Sequence, residues 1–103
     1  GALMSAPITS QIVWRDISIE ITFHKRRWKS DFDHIELRVE EGRIIPVTET
    51  GYRSHFLLAG TVGEYGGYED FVLAWLDHEA DKPEWKRREE ASRQMSLFES
   101  DLL

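Results

Sequence analysis

Hydrophobic and polar residues alternate along the first half of the chain in the manner of β-strands. Residues 17–24 alternate between large apolar and polar side chains, and residues 34–40 repeat the pattern. A period of two is typical of a strand with one buried face. A short apolar run at residues 11–14 precedes Arg15 and Asp16, which we interpret as a tight turn or a bulge. The pattern predicts a small antiparallel sheet of three to four strands within residues 11–58.

In the second half of the chain the period becomes that of a helix. Between residues 68 and 80, large apolar side chains recur every three or four positions, which predicts a helix with one apolar face. Residues 81–84, Asp-Lys-Pro-Glu, have the features of a second helix start. That second helix, over about 82–94, has one large apolar residue, Trp85, so we expect it to be mostly solvated. The predicted fold class is therefore α+β, a sheet followed by two helices.

The chain has the length of one domain, with 103 residues. Residues 1–3 precede Met4 and resemble a cloning remnant, so residues 1–10 are predicted to be that remnant and a flexible N-terminus. A single domain is expected over residues 11–93. A tail that carries a peptide motif is expected over residues 94–103.

Charge and composition exclude several classes of site. The net charge is −6, and all of it arises in residues 59–103, which hold five Lys/Arg against eleven Asp/Glu. An acidic half repels nucleic acid and attracts basic protein surfaces. The chain has no cysteine, which excludes disulfides and thiolate chemistry and is consistent with a reducing cytoplasm. No stretch approaches the roughly 18 apolar residues of a membrane span, so we expect a cytoplasmic protein without a membrane partner.

The most specific signal lies near the C-terminus. Leu97 and Phe98 are adjacent large apolar residues, which one helical face does not easily bury together. Residues 94–98, Gln-Met-Ser-Leu-Phe, resemble the peptide by which many bacterial proteins bind the DNA sliding clamp, commonly Gln-Leu-Ser/Asp-Leu-Phe. The resemblance implies that Gln94 forms a hydrogen bond at one pocket while Leu97 and Phe98 fill an apolar cleft. The alternative is that this pair packs on its own domain.

The candidate partner-binding residues are thus Gln94, Met95, Ser96, Leu97 and Phe98. A wider resemblance rests on residues 46–56, 74–77 (Ala-Trp-Leu-Asp), 83–85 (Pro-Glu-Trp) and 96–98. Together these segments resemble a family of short uncharacterised proteins encoded on plasmids and other mobile elements of proteobacteria. This resemblance implies a bacterial, cytoplasmic accessory protein and supplies no activity. We therefore expect a non-enzymatic protein that binds a protein partner, most concretely the sliding clamp.

Two other functions remain open. A basic stretch surrounds an indole, and cations with an exposed aromatic ring suit single-stranded nucleic acid. The candidate nucleic-acid residues, which follow His24, are Lys25, Arg26, Arg27, Trp28 and Lys29. Alternatively, the acidic half, residues 59–103, inhibits a host defence enzyme by presenting carboxylates to a basic groove. The carboxylates considered for that role are Glu64, Glu69, Asp70 and Asp77.

A polar patch at residues 48–55 is the one segment where an active site is considered. Its candidate residues are Glu49, Tyr52, Arg53 and His55. Chemistry needs groups from several segments to converge in a pocket, so hydrolase-like activity is the least favoured alternative and no catalytic residue is assigned. The spacing of the four histidines does not match a zinc motif, although His24 and His34 can share a solvated sheet face with Glu20 and Glu36. We therefore expect no metal and no cofactor.

Overall fold

Four strands form one antiparallel sheet whose spatial order follows the chain. The computed structural model describes residues 6–26 and 30–101, with side chains described as far as Met95. The strands are β1 (Ile8–Trp14), β2 (Ile17–His24), β3 (Phe32–Val39) and β4 (Tyr52–Leu58). Their order is β1-β2-β3-β4, and each neighbouring pair is antiparallel. The sheet is the meander that the alternation predicts, although β1 begins at Ile8 rather than at residue 11.

The first hairpin is closed by the two residues that the sequence indicates. Trp14 pairs with Ile17, and the residues between them have positive φ, 49° at Arg15 and 66° at Asp16. Two consecutive left-handed residues give the hairpin turn whose twist matches that of the flanking strands. The turn therefore sets the register that directs alternate residues of β1 and β2 into the core.

Two helices follow the sheet, α1 (Tyr68–Ala80) and α2 (Pro83–Asp101), after a 3₁₀ turn at Val62–Tyr65. The fold class is α+β, as predicted. The apolar stripe of α1 covers one sheet face, and its buried members Val72 and Leu76 join the core. The other buried apolar residues of the core are Ile12, Trp14, Ile17, Ile19, Ile21, Phe23, Ile35, Leu37, Ile45, Leu57, Ala80 and Trp85.

The second helix, α2, is longer than α1, and its described side chains from Glu90 to Met95 are exposed. It begins at Pro83, a position where a helix loses nothing by the missing N–H. The sequence predicts its end near residue 94, whereas the helix continues to Asp101. Trp85 is buried and packs edge-on against Trp14 with ring centroids 6.0 Å apart. Among the described side chains of α2, the indole of Trp85 thus provides the apolar anchor to the domain.

Candidate functional site

The sheet face opposite α1 carries a row of stacked rings. His24 and His34 are directly paired across β2 and β3, and their ring centroids are 5.0 Å apart. His34 in turn pairs with Phe56 on β4, with centroids 4.2 Å apart and nearly parallel planes. The row exists because residues directly opposite each other on neighbouring strands point to the same face of a sheet. It brings together two imidazoles that the sequence separates by a loop.

Glu36 lies beside this row, and its two oxygens have different partners. Its Oε2 is 3.2 Å from His24 Nε2, and its Oε1 accepts a hydrogen bond of 2.8 Å from the Tyr52 hydroxyl. On the neighbouring position, His34 Nε2 and the Ser54 hydroxyl are 2.6 Å apart. We call His24, His34, Glu36, Tyr52 and Ser54 the polar cluster of the open face.

The environment of the polar cluster shifts three protonation equilibria. The hydrogen bond from Tyr52 and then that from His24 lower the pKa of Glu36, and the same bond to Glu36 raises the pKa of Tyr52. Burial lowers the pKa of His34, and the nearby His24 lowers it further, against the opposing effect of Glu36. These shifts favour the ionised carboxylate of Glu36 and the neutral imidazole of His34.

Large apolar side chains flank the polar cluster on the same face. Phe56 is 63% exposed, Leu58 is 62% exposed and Phe32 is 51% exposed. Phe32 pairs with Leu58 at the end of the β3–β4 hairpin, next to the His34–Phe56 pair. A shallow groove of about 340 Å³ runs between the two groups of residues. Adjacent apolar side chains that a small domain leaves in water are typical of an interaction surface.

Two residues of the predicted basic stretch, Lys25 and Arg26, have described positions, and Lys25 borders this groove. Lys25 contributes to its lining, and the backbone N–H of Arg26 donates to the buried carboxylate of Asp33 at 2.7 Å. Arg27, Trp28 and Lys29 lie outside the described residues, so the indole and two of the cations of that prediction have no described position. The nucleic-acid interface at residues 24–29 stays a prediction.

The residues of the polar patch are divided between the two faces of β4. The Tyr52 hydroxyl contacts Glu36 on the open face. The His55 ring packs against Trp75 of α1 at 4.4 Å, and the Arg53 guanidinium lies 5.6 Å from the Trp75 ring. Alternate residues of a strand point to opposite faces, so the hydroxyl and the imidazole do not meet. Burial lowers the pKa of His55, with the charge of Arg53 in the same direction.

Glu49, the fourth residue of that patch, lines a different groove of about 450 Å³ between residues 46–53 and the start of α2. Arg88 borders this groove and donates to three backbone carbonyls: Nη1 to Ile45 and Pro46 at 3.3 Å each, and Nη2 to Thr48 at 2.9 Å. The guanidinium holds the loop against α2, so this groove has a structural explanation.

The residues of the clamp-like peptide lie on the last turns of α2 and not in an extended segment. Every described side chain from Glu90 to Met95 is exposed. The Gln94 amide is 3.5 Å from Glu90 Oε1 on the same helix. The side chains of Ser96, Leu97 and Phe98 lie outside the described part of the chain, so their burial is a prediction still open.

Metal-ligating geometry is the feature that sequence spacing missed. One ligand atom each from His24, His34 and Glu36 lies within 4.8 Å of the others. The alternation of β2 and β3 does indicate this convergence, because residues that face each other on paired strands share one face of the sheet. Their exact register, which decides which histidines meet, follows from the folded hairpin.

These observations define a small α+β domain with one covered and one open sheet face. A family model of the KlcB third domain matches residues 7–85, and the chain belongs to that family. KlcB is encoded on plasmids, which agrees with the plasmid family that the sequence resembles. Comparison with curated proteins and with solved structures gives no match. None of the helices in the described residues is long and apolar enough to cross a membrane.

Proposed function

We propose that this plasmid accessory domain binds a protein partner, the bacterial DNA sliding clamp, through residues 94–98. The observation that supports it is the exposure of the described α2 side chains from Glu90 to Met95. The helix continues from Glu89 to Asp101, roughly 18 Å at about 1.5 Å per residue, and its described side chains beyond Glu89 are solvated. A partner therefore reaches Gln94 and Met95, the described part of this segment, without disturbing the core. The segment also lies beyond residue 85, where the family match ends, so its binding can be tested apart from the matched domain.

Binding in an extended conformation requires the last turns of α2 to unwind. By sequence, the last turn contains two acidic residues and no basic one. This pattern leaves the negative end of the helix dipole uncompensated and favours fraying. The described side chains from Glu90 to Met95 are exposed, so unwinding of residues 90–95 gives up little apolar burial. The cost over these residues is therefore small beside the gain from burying two large side chains.

The expected affinity follows from those two side chains. Burial of Leu97 and Phe98 in a cleft contributes about 3–6 kcal/mol before the ordering costs are subtracted. A hydrogen bond from Gln94 fixes the orientation of the peptide in its site. Met95 replaces the usual leucine with a side chain of similar volume. A Kd in the micromolar range, about −8 kcal/mol, is expected for such a short anchor-driven interface. Recruitment of the domain to replicating DNA, or competition with other clamp ligands, would follow.

Replacing both anchors, Leu97→Ala with Phe98→Ala, is expected to weaken clamp binding by about 100-fold or more, because most of the interface energy lies in these groups. Isothermal titration calorimetry of the full chain against a purified proteobacterial sliding clamp measures the effect. The matched control is Leu102→Ala with Leu103→Ala, which removes similar apolar surface from the same terminus. Equal affinity of the two double variants, or no binding of the unaltered chain, would contradict the proposal.

A circular-dichroism melting curve of each variant distinguishes a direct loss of clamp contacts from a loss of the folded domain. If Leu97 and Phe98 pack on the domain, their replacement lowers the melting temperature while the control does not. An unchanged melting temperature together with lost clamp binding supports the proposal.

Single-stranded nucleic acid is a second candidate ligand, favoured by the exposed rings of the open face. Phe56 stacks on His34 with its outer side in solvent, and Lys25 borders the same groove. An aromatic platform beside cations binds unpaired bases without sequence preference. Phe56→Ala is then expected to weaken binding of a labelled oligothymidylate by about tenfold, measured by fluorescence anisotropy at low salt. Val13→Ala, an exposed position on the same face of β1, is the control, and absence of binding at low salt ends this candidate.

The third alternative, an acidic inhibitor, has less support from the described contacts. Asp77 accepts a hydrogen bond of 2.9 Å from the Trp14 indole, and Glu69 accepts one of 2.9 Å from the Ser10 hydroxyl. These two carboxylates already have partners within the domain. An inhibitor surface would therefore depend on the remaining acidic residues of the helical half.

A further inference from the structure

Two imidazoles and one carboxylate converge on the open face of the sheet. His24 and His34 are a directly opposed pair on β2 and β3, and Glu36 points to the same face two residues along β3. One ligand atom from each of the three lies within 4.8 Å of the others. His24 Nε2 and Glu36 Oε2 are 3.2 Å apart, close to the roughly 3.3 Å that separates two ligands of a tetrahedral zinc ion.

We propose that His24, His34 and Glu36 bind a divalent transition-metal ion of the zinc type. Zinc accepts imidazole nitrogen and carboxylate oxygen together, and three protein ligands with water in the fourth position make a complete coordination sphere. Magnesium and calcium prefer sites made of oxygen ligands, so a set dominated by imidazole selects against them. All three side chains are partly accessible, which leaves a path for the ion and room for water.

Neighbouring side chains hold two of the three ligands in place. The Tyr52 hydroxyl donates to Glu36 Oε1 and leaves Oε2 directed at His24. The Ser54 hydroxyl contacts His34 Nε2, and Phe56 stacks on the His34 ring. Groups that bond to the outer side of metal ligands orient them and raise metal affinity. Here both hydroxyls come from β4, so β4 positions the two ligands that lie on β3.

The strand pairing gives the site a rigid base. His24 ends β2 and His34 lies within β3, and the pairs from Ile19 to His24 continue without interruption. An ion therefore gathers its ligands by side-chain rotation on a backbone that the strand pairing holds in place. Such a site is formed before the ion arrives, which lowers the ordering cost of binding.

Titration of the full 103-residue chain with zinc chloride near neutral pH tests the proposal by calorimetry. We expect one ion per chain with a Kd of about 1–10 μM. Excess magnesium chloride is expected not to displace it. Cobalt chloride offers a second readout, because visible absorption bands report imidazole and carboxylate coordination directly. Binding weaker than about 1 mM, or an equal response to magnesium, would overturn the proposal.

Variants then locate the ion. His24→Ala, His34→Ala and Glu36→Gln are each expected to weaken zinc binding at least about tenfold, and Tyr52→Phe by about tenfold through the lost hydrogen bond to Glu36. Glu20→Gln, an acidic position on the same face, and His78→Ala, a histidine of α1, are the matched controls and keep full affinity. Glu36→Gln preserves shape, so it decides the outcome if a histidine variant folds poorly. Full affinity of Glu36→Gln, or loss in His78→Ala, would overturn this assignment.

Discussion

Replacing Trp85 by alanine is expected to lower the free energy of unfolding by about 3–5 kcal/mol, the range for large-to-small changes at a buried aromatic residue. Trp85 is only 4% exposed and packs on Trp14. Among the described side chains of α2 it is the buried apolar one, so its loss removes apolar burial and this attachment of the helix. Urea unfolding followed by far-ultraviolet circular dichroism measures the change, since a domain of this size unfolds in one step.

Two comparisons make the Trp85 result specific. Trp85→Phe retains a ring, and the indole nitrogen has no hydrogen-bond partner among the described residues, so we expect a loss of only about 1–2 kcal/mol. Lys86→Ala, at an exposed neighbouring position, is expected to change stability by less than about 0.5 kcal/mol. A Trp85→Ala loss as small as that of Lys86→Ala would mean that α2 contributes little to the stability of the fold.

Replacing Arg88 by methionine is expected to lower the free energy of unfolding by about 2–3 kcal/mol, because hydrogen bonds from a charged donor are worth more than neutral ones. Its guanidinium donates hydrogen bonds to the backbone carbonyls of Ile45, Pro46 and Thr48. Methionine keeps the apolar stem and removes every donor, so those carbonyls lose a shared partner. Urea unfolding measures the loss, and nuclear magnetic resonance of residues 44–50 reports whether the loop separates from α2.

Arg87→Met is the matched control for the Arg88 variant. Arg87 is exposed on the same turn of α2, so the substitution is expected to change stability by less than about 0.5 kcal/mol. Equal effects of the two variants would mean that charge, rather than the three hydrogen bonds, explains the loss. Arg88→Lys extends the test, since a single ammonium does not reproduce the planar fork of donors.

The clamp proposal and the metal proposal concern separate parts of the molecule and fail independently. The first depends on side chains near the end of α2, outside residues 7–85 of the family match. The second depends on strands inside that match, where His24, His34 and Glu36 lie. Zinc binding therefore tests a property of the residues that the family model matches, and clamp binding tests a property of the residues beyond them.

Strands and helices with a regular pattern of apolar residues were predictable from the sequence, whereas the residues at which elements begin and end were less predictable. The alternation at residues 17–24 and the helical stripe at residues 68–80 reappear as β2 and α1 almost residue for residue. The end of α2 was not predictable, because nothing in its polar sequence stops a helix near residue 94, neither glycine nor proline. Residues 8–10 lack a strong apolar pattern. They join the sheet because each of them pairs with a residue of β2, from Ile21 to Phe23.

Among the candidate sites, sequence proximity was a poor guide. Tyr52 and His55 are close in sequence yet serve opposite faces of β4, which separates them. His24 and Glu36 are distant in sequence yet lie 3.2 Å apart, because a hairpin folds one strand onto the next. The possibility that both histidines share a face was visible from alternation. The contacts with Glu36 and the support from Tyr52 and Ser54 required the register of three strands.

The sequence by itself determined that a sheet precedes two helices, that the second half is acidic and that the chain carries the clamp-like peptide. Each of these depends on residues that are neighbours along the chain, and short-range periodicity or composition records them. Only the tertiary structure decided which polar side chains meet on the open face, which groups Arg88 joins and where α2 leaves the domain. Those outcomes depend on strand register and on one buried indole, which bring together residues that the linear chain keeps apart.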